Sequence, residues 1–172
     1  MSRETPIAFI ALGSNLGDSV RLINEAMNRL ETLSTTPLLK SSLWQTTPVD
    51  CPPGSPGFVN AVVGLTPRAG ETPELLLAKL RTLETDFGRR RKQILNEPRP
   101  LDLDLIAFGN ETHNKPSLVL PHPRAHLRRF VLQPLSEIAP RFVLPGQTRP
   151  VAELLAALET AEVLVRLPPG MP

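Results

Sequence analysis

Ile7-Ala8-Phe9-Ile10-Ala11-Leu12-Gly13-Ser14-Asn15 opens with six apolar residues and closes on turn formers. A compact apolar run containing Ile and Phe reads as a short buried strand. After the turn, Asp18 or Ser19 can cap a helix by accepting orphan amide hydrogens. Ile23, Met27, Leu30 and Leu33 then recur at helical spacing as a core stripe. Leu39–Thr46 predicts a second strand, and Thr47–Gly57, crowded with Pro and Gly, predicts a loop. Phe58–Thr66 alternates, with Phe58, Asn60 and Val62 on one face and Val59, Ala61, Val63 and Leu65 on the other. Thr72-Pro73 opens a second helix whose stripe is Leu76, Leu80, Leu83 and Phe87, and Gly88 stops it. A basic loop, Arg89–Arg99, leads into a strand at Leu101–Phe108. Beyond it, a strand is expected at Ser117–Leu120, a largely helical stretch at Arg124–Leu135, a short strand at Phe142–Leu144 and a helix at Val151–Leu158, with a loose Pro-rich end. The order β-α-β-β-α-β predicts an α+β fold, a ferredoxin-like βαββαβ sandwich with C-terminal additions. Its sheet would lie on one side and its two helices on the other.

A chain of 172 residues, 41% hydrophobic, suffices for a single domain over 1–172 with a core about 7–158. Its longest apolar run, Ile7–Leu12, is far short of the ~20 residues of a membrane span. The N-terminus carries no basic-then-apolar signal pattern, and the single cysteine, Cys51, can make no internal disulfide. A cytoplasmic monomer is expected, with no membrane partner. Six Phe, one Trp and no Tyr argue against nucleic-acid binding by base stacking. The net charge of +2 calls for no polyanionic partner.

The chemistry concentrates at Leu101-Asp102-Leu103-Asp104-Leu105. On a strand both aspartates face one way and the leucines the other, with the aspartate Cα atoms ~6.6 Å apart. Carboxylates at that spacing can bracket two Mg²⁺ ions, although a bare alternating pair is as often a solvated strand face. Upstream lie Arg89, Arg90, Arg91, Lys92 and Arg99; downstream lie His122, Arg124, His126, Arg128 and Arg129. Guanidinium forks match phosphate oxygens that Mg²⁺ also bridges, so the ensemble outlines a polyphosphate site. The alternative is a solvated basic loop with weak surface pairs. Asn60 is either a satisfied buried amide or a reader of a heterocycle, through its donor and acceptor groups. The Gly13–Asp18 junction lacks P-loop spacing. Pro123 interrupts any helix carrying both His122 and His126, and no Glu stands beside His122 as in a zincin.

Five segments, in order, resemble the 6-hydroxymethyl-7,8-dihydropterin pyrophosphokinase family. They are ALGSNLGD at Ala11–Asp18, FVNAVV at Phe58–Val63, GRRRK at Gly88–Lys92, PRPLDLDLIAFG at Pro98–Gly109 and LPHPRAHLRRFVLQPLSEIAP at Leu120–Pro140. The last two are highly specific, and together the five span roughly residues 7 to 145. The resemblance implies transfer of the terminal diphosphate of ATP to the pterin hydroxymethyl oxygen, with release of AMP. By position, Asp102 and Asp104 would hold two Mg²⁺ ions. Phe58 and Phe130 would sandwich the reduced pterin, Asn60 would recognise its edge, and backbone around Thr46–Val49, Pro48 included, would read the rest. Glu84, Arg91, His122 and Arg128 would line the ATP side, and Arg91 and Arg99 would serve catalysis from the basic loop.

The chain departs from the family pattern at Asn96-Glu97, where Trp-Gly is usual, and at Arg81, where Gln is common. Gly57 replaces a usual Asp, Thr47 a frequent Pro, and Pro123 a Tyr. Two other readings use the same residues: a pterin- or nucleotide-binding relative without catalysis, and an RNA-binding domain resting on the basic loop.

Overall fold

The computed structural model describes residues 5–46, 57–88 and 100–169. The expected sites at Pro48, Arg91 and Arg99, and the departure at Asn96-Glu97, lie outside those residues.

Strand β1 (Ala8–Ser14) is buried along its whole length inside the sheet. Helix α1 (Ser19–Glu31) follows, with Asp18 as its N-cap accepting from Arg21 N–H at 3.3 Å. The expected strand Leu39–Thr46 is two short pieces, β2 (Leu39–Lys40) and β3 (Trp44–Thr46). Between them the Ser41 Oγ accepts from the Val62 amide at 2.9 Å, so a side chain takes the ladder position of a backbone carbonyl. Strand β4 (Phe58–Leu65) leads to α2 (Pro73–Asp86), capped by Thr72 and closed at Gly88, whose φ is +90°. Strand β5 (Asp102–Phe108) and the hairpin β6 (His113–Lys115) and β7 (Leu118–Leu120) come next. A 3-10 turn (Ala125–Leu127), α3 (Arg129–Ile138), α4 (Val151–Ala157) and β8 (Leu164–Arg166) complete the described elements.

The sheet order is β5-β1-β4-β3-β8, with β2 also on β4, and its pairings are antiparallel. Each of α1 and α2 therefore crosses over a strand laid between the two it joins. The alternation read from sequence sorts the faces as expected. Ile10, Leu12, Val59, Ala61, Val63, Leu65, Leu101, Leu103 and Leu105 pack with Ile23, Leu30, Leu76 and Leu80 from α1 and α2. Fully burying one such aliphatic side chain contributes about 1.5–3 kcal/mol.

The other face departs from the expected two-layer sandwich. Helices α3 and α4 cover part of it, through Val131, Leu132, Leu135, Val151 and Leu154 against Phe9, Ala11, Val62 and Ile106. One further expectation is corrected. Phe142–Leu144 is not a strand: Phe142 instead ties the ends of a loop, accepting from Val151 N–H at 2.8 Å, with its ring tilted against Phe9 at 4.9 Å between centroids. Arg124–Leu135 is largely helical as expected, with an extended Arg128 between the 3-10 turn and α3. Strand β8, not expected from the sequence, pairs with β3.

Candidate active site

Cross-strand partners share a face, so the register alone assembles the site. One row across the sheet reads Arg166, Trp44, Asn60, Gly13, Asp102. The row on its inner side reads Val62, Ala11, Asp104, and the row on its outer side reads Leu164, Thr46, Phe58. Val62 and Ala11 lie beneath the helices, whereas the Asn60–Gly13–Asp102 row emerges beyond the start of α3, where Arg128 and Phe130 stand. The two aspartates and Asn60 are two strands apart, about 10 Å at the usual spacing.

Gly13 is what opens the floor between them. A Cβ there would meet Asn60 Oδ1 at 3.2 Å and Phe58 Cδ1 at 3.7 Å, so a side chain would crowd both. Asn60 is buried, and its Nδ2 donates to the Thr46 hydroxyl at 3.0 Å. That bond aims the amide from below and joins Thr46, Asn60 and Phe58 into one wall. Among the described residues, Thr46, Phe58 and Asn60 are therefore brought together.

On the opposite side, Asp102 and Asp104 project from β5. Burial and the neighbouring Asp102 charge push the Asp104 carboxyl up to about 6, against the pull of Arg81 and Arg128. A buried carboxyl whose charge is disfavoured beside a second carboxylate is a place where a cation would relieve the repulsion. His122 stands nearby, its amide donating to Ile106 O at 2.8 Å. Its Nδ1 accepts from the Arg124 amide at 3.2 Å, which assigns the ring proton to Nε2. Burial and the Arg128 and Arg124 guanidiniums hold this imidazole below its ordinary range, so it is neutral at pH 7. Arg128 also stacks over the Phe130 ring, 5.3 Å from its centroid. One arginine thus touches the Phe130 ring while its charge reaches Asp104.

Glu84, which the resemblance places on the nucleotide side, also bonds to β5. It is buried, its Oε2 accepting from Leu103 N–H at 2.9 Å and its Oε1 from Arg81, whose Nη1 also reaches Leu103 O at 3.1 Å. The pair caps the outer side of β5 at the residue between the two aspartates. No third His, Cys, Asp or Glu joins the aspartates as a potential metal ligand among the described residues. Two carboxylates, with remaining positions left to phosphate and water, suit Mg²⁺ better than a metal that needs a full protein cage. Gly13 and Trp44 were not singled out as site residues from the sequence. A glycine inside a strand was the available signal for the first. Nothing local marked the second, which sits beside Asn60 and donates from Nε1 to Glu137 on α3 at 2.7 Å.

Residues 9–140 match the family model described as 7,8-dihydro-6-hydroxymethylpterin-pyrophosphokinase. The 2-amino-4-hydroxy-6-hydroxymethyldihydropteridine pyrophosphokinase of Haemophilus influenzae is 40% identical over 140 residues, covering 81% of this chain and 85% of its own length. The protein of the same description from Pseudomonas aeruginosa is 38% identical over 161 residues, 93% of this chain and 96% of that one. Among solved structures, Plasmodium falciparum HPPK-DHPS superposes with a TM-score of 0.65 over 90% of this chain, at 14% identity. The chain spans 45% of that longer protein, and the likeness is one of fold. On these matches, the chain belongs to the 7,8-dihydro-6-hydroxymethylpterin-pyrophosphokinase family.

Proposed function

We propose that this site transfers the family's pyrophosphoryl group, from ATP to the hydroxymethyl oxygen of 6-hydroxymethyl-7,8-dihydropterin, with Asp102 and Asp104 holding two Mg²⁺ ions. The observation that carries it is the single sheet face on which Asn60, the gap at Gly13 and the two aspartates follow one another. The pterin lies over Gly13, its edge read by Asn60 and Thr46 and its faces stacked between Phe58 and Phe130. Asn60 is pre-aimed by Thr46, so binding spends little on ordering it. The triphosphate lies along β5, where Arg128 and the Nε2–H of neutral His122 donate to its oxygens. Arg91 and Arg99, from the basic loop, add cations. Bound Mg²⁺ would neutralise phosphate charge and hold the chain of phosphates in line. The pterin oxygen then attacks the β-phosphorus, the bond between it and the α,β-bridging oxygen breaks, AMP leaves with that oxygen, and the hydroxyl proton passes to solvent. Protein groups position and stabilise, and none forms a covalent bond.

We also read the interleaved crossovers as the ferredoxin-like core and the enzyme as a cytoplasmic monomer. The reaction is tested by incubating the full chain with ATP, Mg²⁺ and the reduced pterin. AMP should appear in step with pterin diphosphate, and not without Mg²⁺. Asp102→Ala and Asp104→Ala should each lose several kcal/mol of transition-state stabilisation. Turnover of either variant within about threefold of the parent, about 0.6 kcal/mol, would refute the two-metal assignment.

A further inference from the structure

Beyond α4 the chain runs back across the molecule and touches both walls of the pocket. Strand β8 sets Leu164 opposite Thr46, and Leu167 N–H donates to Leu43 O at 2.9 Å. Just before β8, the half-buried Glu162 lies against the beginning of α3. Its Oε1 accepts from Arg129 N–H and its Oε2 from Phe130 N–H, each at 3.3 Å. The Thr160 hydroxyl donates to the same Oε1 at 3.3 Å and accepts from Glu162 N–H at 3.2 Å. Arg129 Nη2 reaches Leu158 O at 3.4 Å.

Helix α3 supplies no cap of its own. Its N-cap residue is Arg128, which makes no capping hydrogen bond with its side chain. First-turn amides need an acceptor, and the helix dipole favours an anion there. Glu162 provides both from 33 residues downstream of Arg129.

We propose that Glu162 is a positioning residue for the pterin subsite. It fixes the first turn of α3, with Phe130 and the adjoining Arg128, while β8 fixes the β3 side of the same pocket. The segment from Leu158 to Leu167 is thus a strap joining the pocket's two walls. This rests on the reading that Phe130 stacks on the pterin. Loss of the cap frays the first turn but leaves the helix seated, because Val131, Leu132 and Leu135 are buried beneath it. Phe130 and the stacked Arg128 would then sample several positions, and the pterin would have to select one.

The test compares the full-length chain with its Glu162→Ala, Glu162→Gln and Phe130→Ala variants by steady-state AMP release. Hydrogen exchange follows the Phe130 amide. Glu162→Ala should raise the pterin KM about five- to tenfold, the size of a lost helix cap, with the ATP KM changed less than threefold. Phe130 amide protection should fall, and Glu162→Gln, which keeps an acceptor, should recover much of both. A lowered melting temperature with unchanged pterin KM would make Glu162 merely structural and overturn the proposal. Equal rises in both KM values would overturn it too. If Phe130→Ala leaves the pterin KM unchanged, the pterin wall itself is misplaced. If Phe130→Ala raises it and Glu162→Ala does not, only the strap's role fails. Should Glu162→Ala not fold, Glu162→Gln and Thr160→Val carry the same comparison with smaller shifts.

Discussion

Asp104→Asn should make the ligand-free protein more stable while removing its activity. The Asp104 carboxyl titrates at about 6 instead of 3.8, because burial and Asp102 disfavour its charge more than Arg81 and Arg128 favour it. Each unit is worth about 1.4 kcal/mol, so ionised Asp104 costs the folded state roughly 3 kcal/mol. The sign follows from the raised value. Below pH about 4 the carboxyl is neutral in both folded and unfolded chains, and the penalty vanishes. It grows as pH rises from about 4 to about 6 and is complete above that range. Asparagine keeps the shape without the charge but gives up the attraction of Arg81 and Arg128, so about 2–3 kcal/mol should be recovered at pH 8. For a chain of this size that is a melting-point rise of roughly 5–10 °C. Thermal unfolding followed by circular dichroism, without Mg²⁺ or nucleotide, should show that gap at pH 8 and its near disappearance at pH 4. A gap of equal size at both pH values, or none at pH 8, would refute the reasoning.

Phe58→Ala and Phe130→Ala should weaken pterin binding and leave ATP affinity nearly unchanged, each ring being worth about 0.5–1.5 kcal/mol beyond its buried area. Separate titrations with pterin and with an unreactive ATP analogue would measure this. Gly13→Val should fill the floor beside Asn60 and cut pterin affinity at least tenfold (about 1.4 kcal/mol) with the secondary structure retained. Unaltered pterin binding would place the ring elsewhere. Glu84→Ala should shift the urea midpoint by the equivalent of about 2–3 kcal/mol, because it leaves the Leu103 amide buried without that acceptor. An unchanged midpoint would mean the edge of β5 needs no such cap.

Much of this could be read in one dimension, wherever the physics is short-range. Strand pleat puts Asp102 and Asp104 on one face and Leu101, Leu103 and Leu105 on the other, and helical pitch gives α1 and α2 their buried stripes. The segments LDLDL and FVNAVV therefore announced both halves of the site. What they could not announce is their separation. That depends on β1 lying between β4 and β5, in a register that sets Gly13 beside both Asn60 and Asp102. Glu84 illustrates the same limit, since its bonds to Leu103 and Arg81 exist only because α2 packs beside β5. Glu162 is the clearest case. Nothing in its neighbours marks it, and it meets the first amides of α3 only after α4 has turned the chain back over the sheet. Local pattern follows from covalent geometry and burial along the chain, and so belongs to the sequence. Register, the covering of the second face by α3 and α4, and the docking of the C-terminal strap come from contacts between distant segments, which form only when the whole core closes.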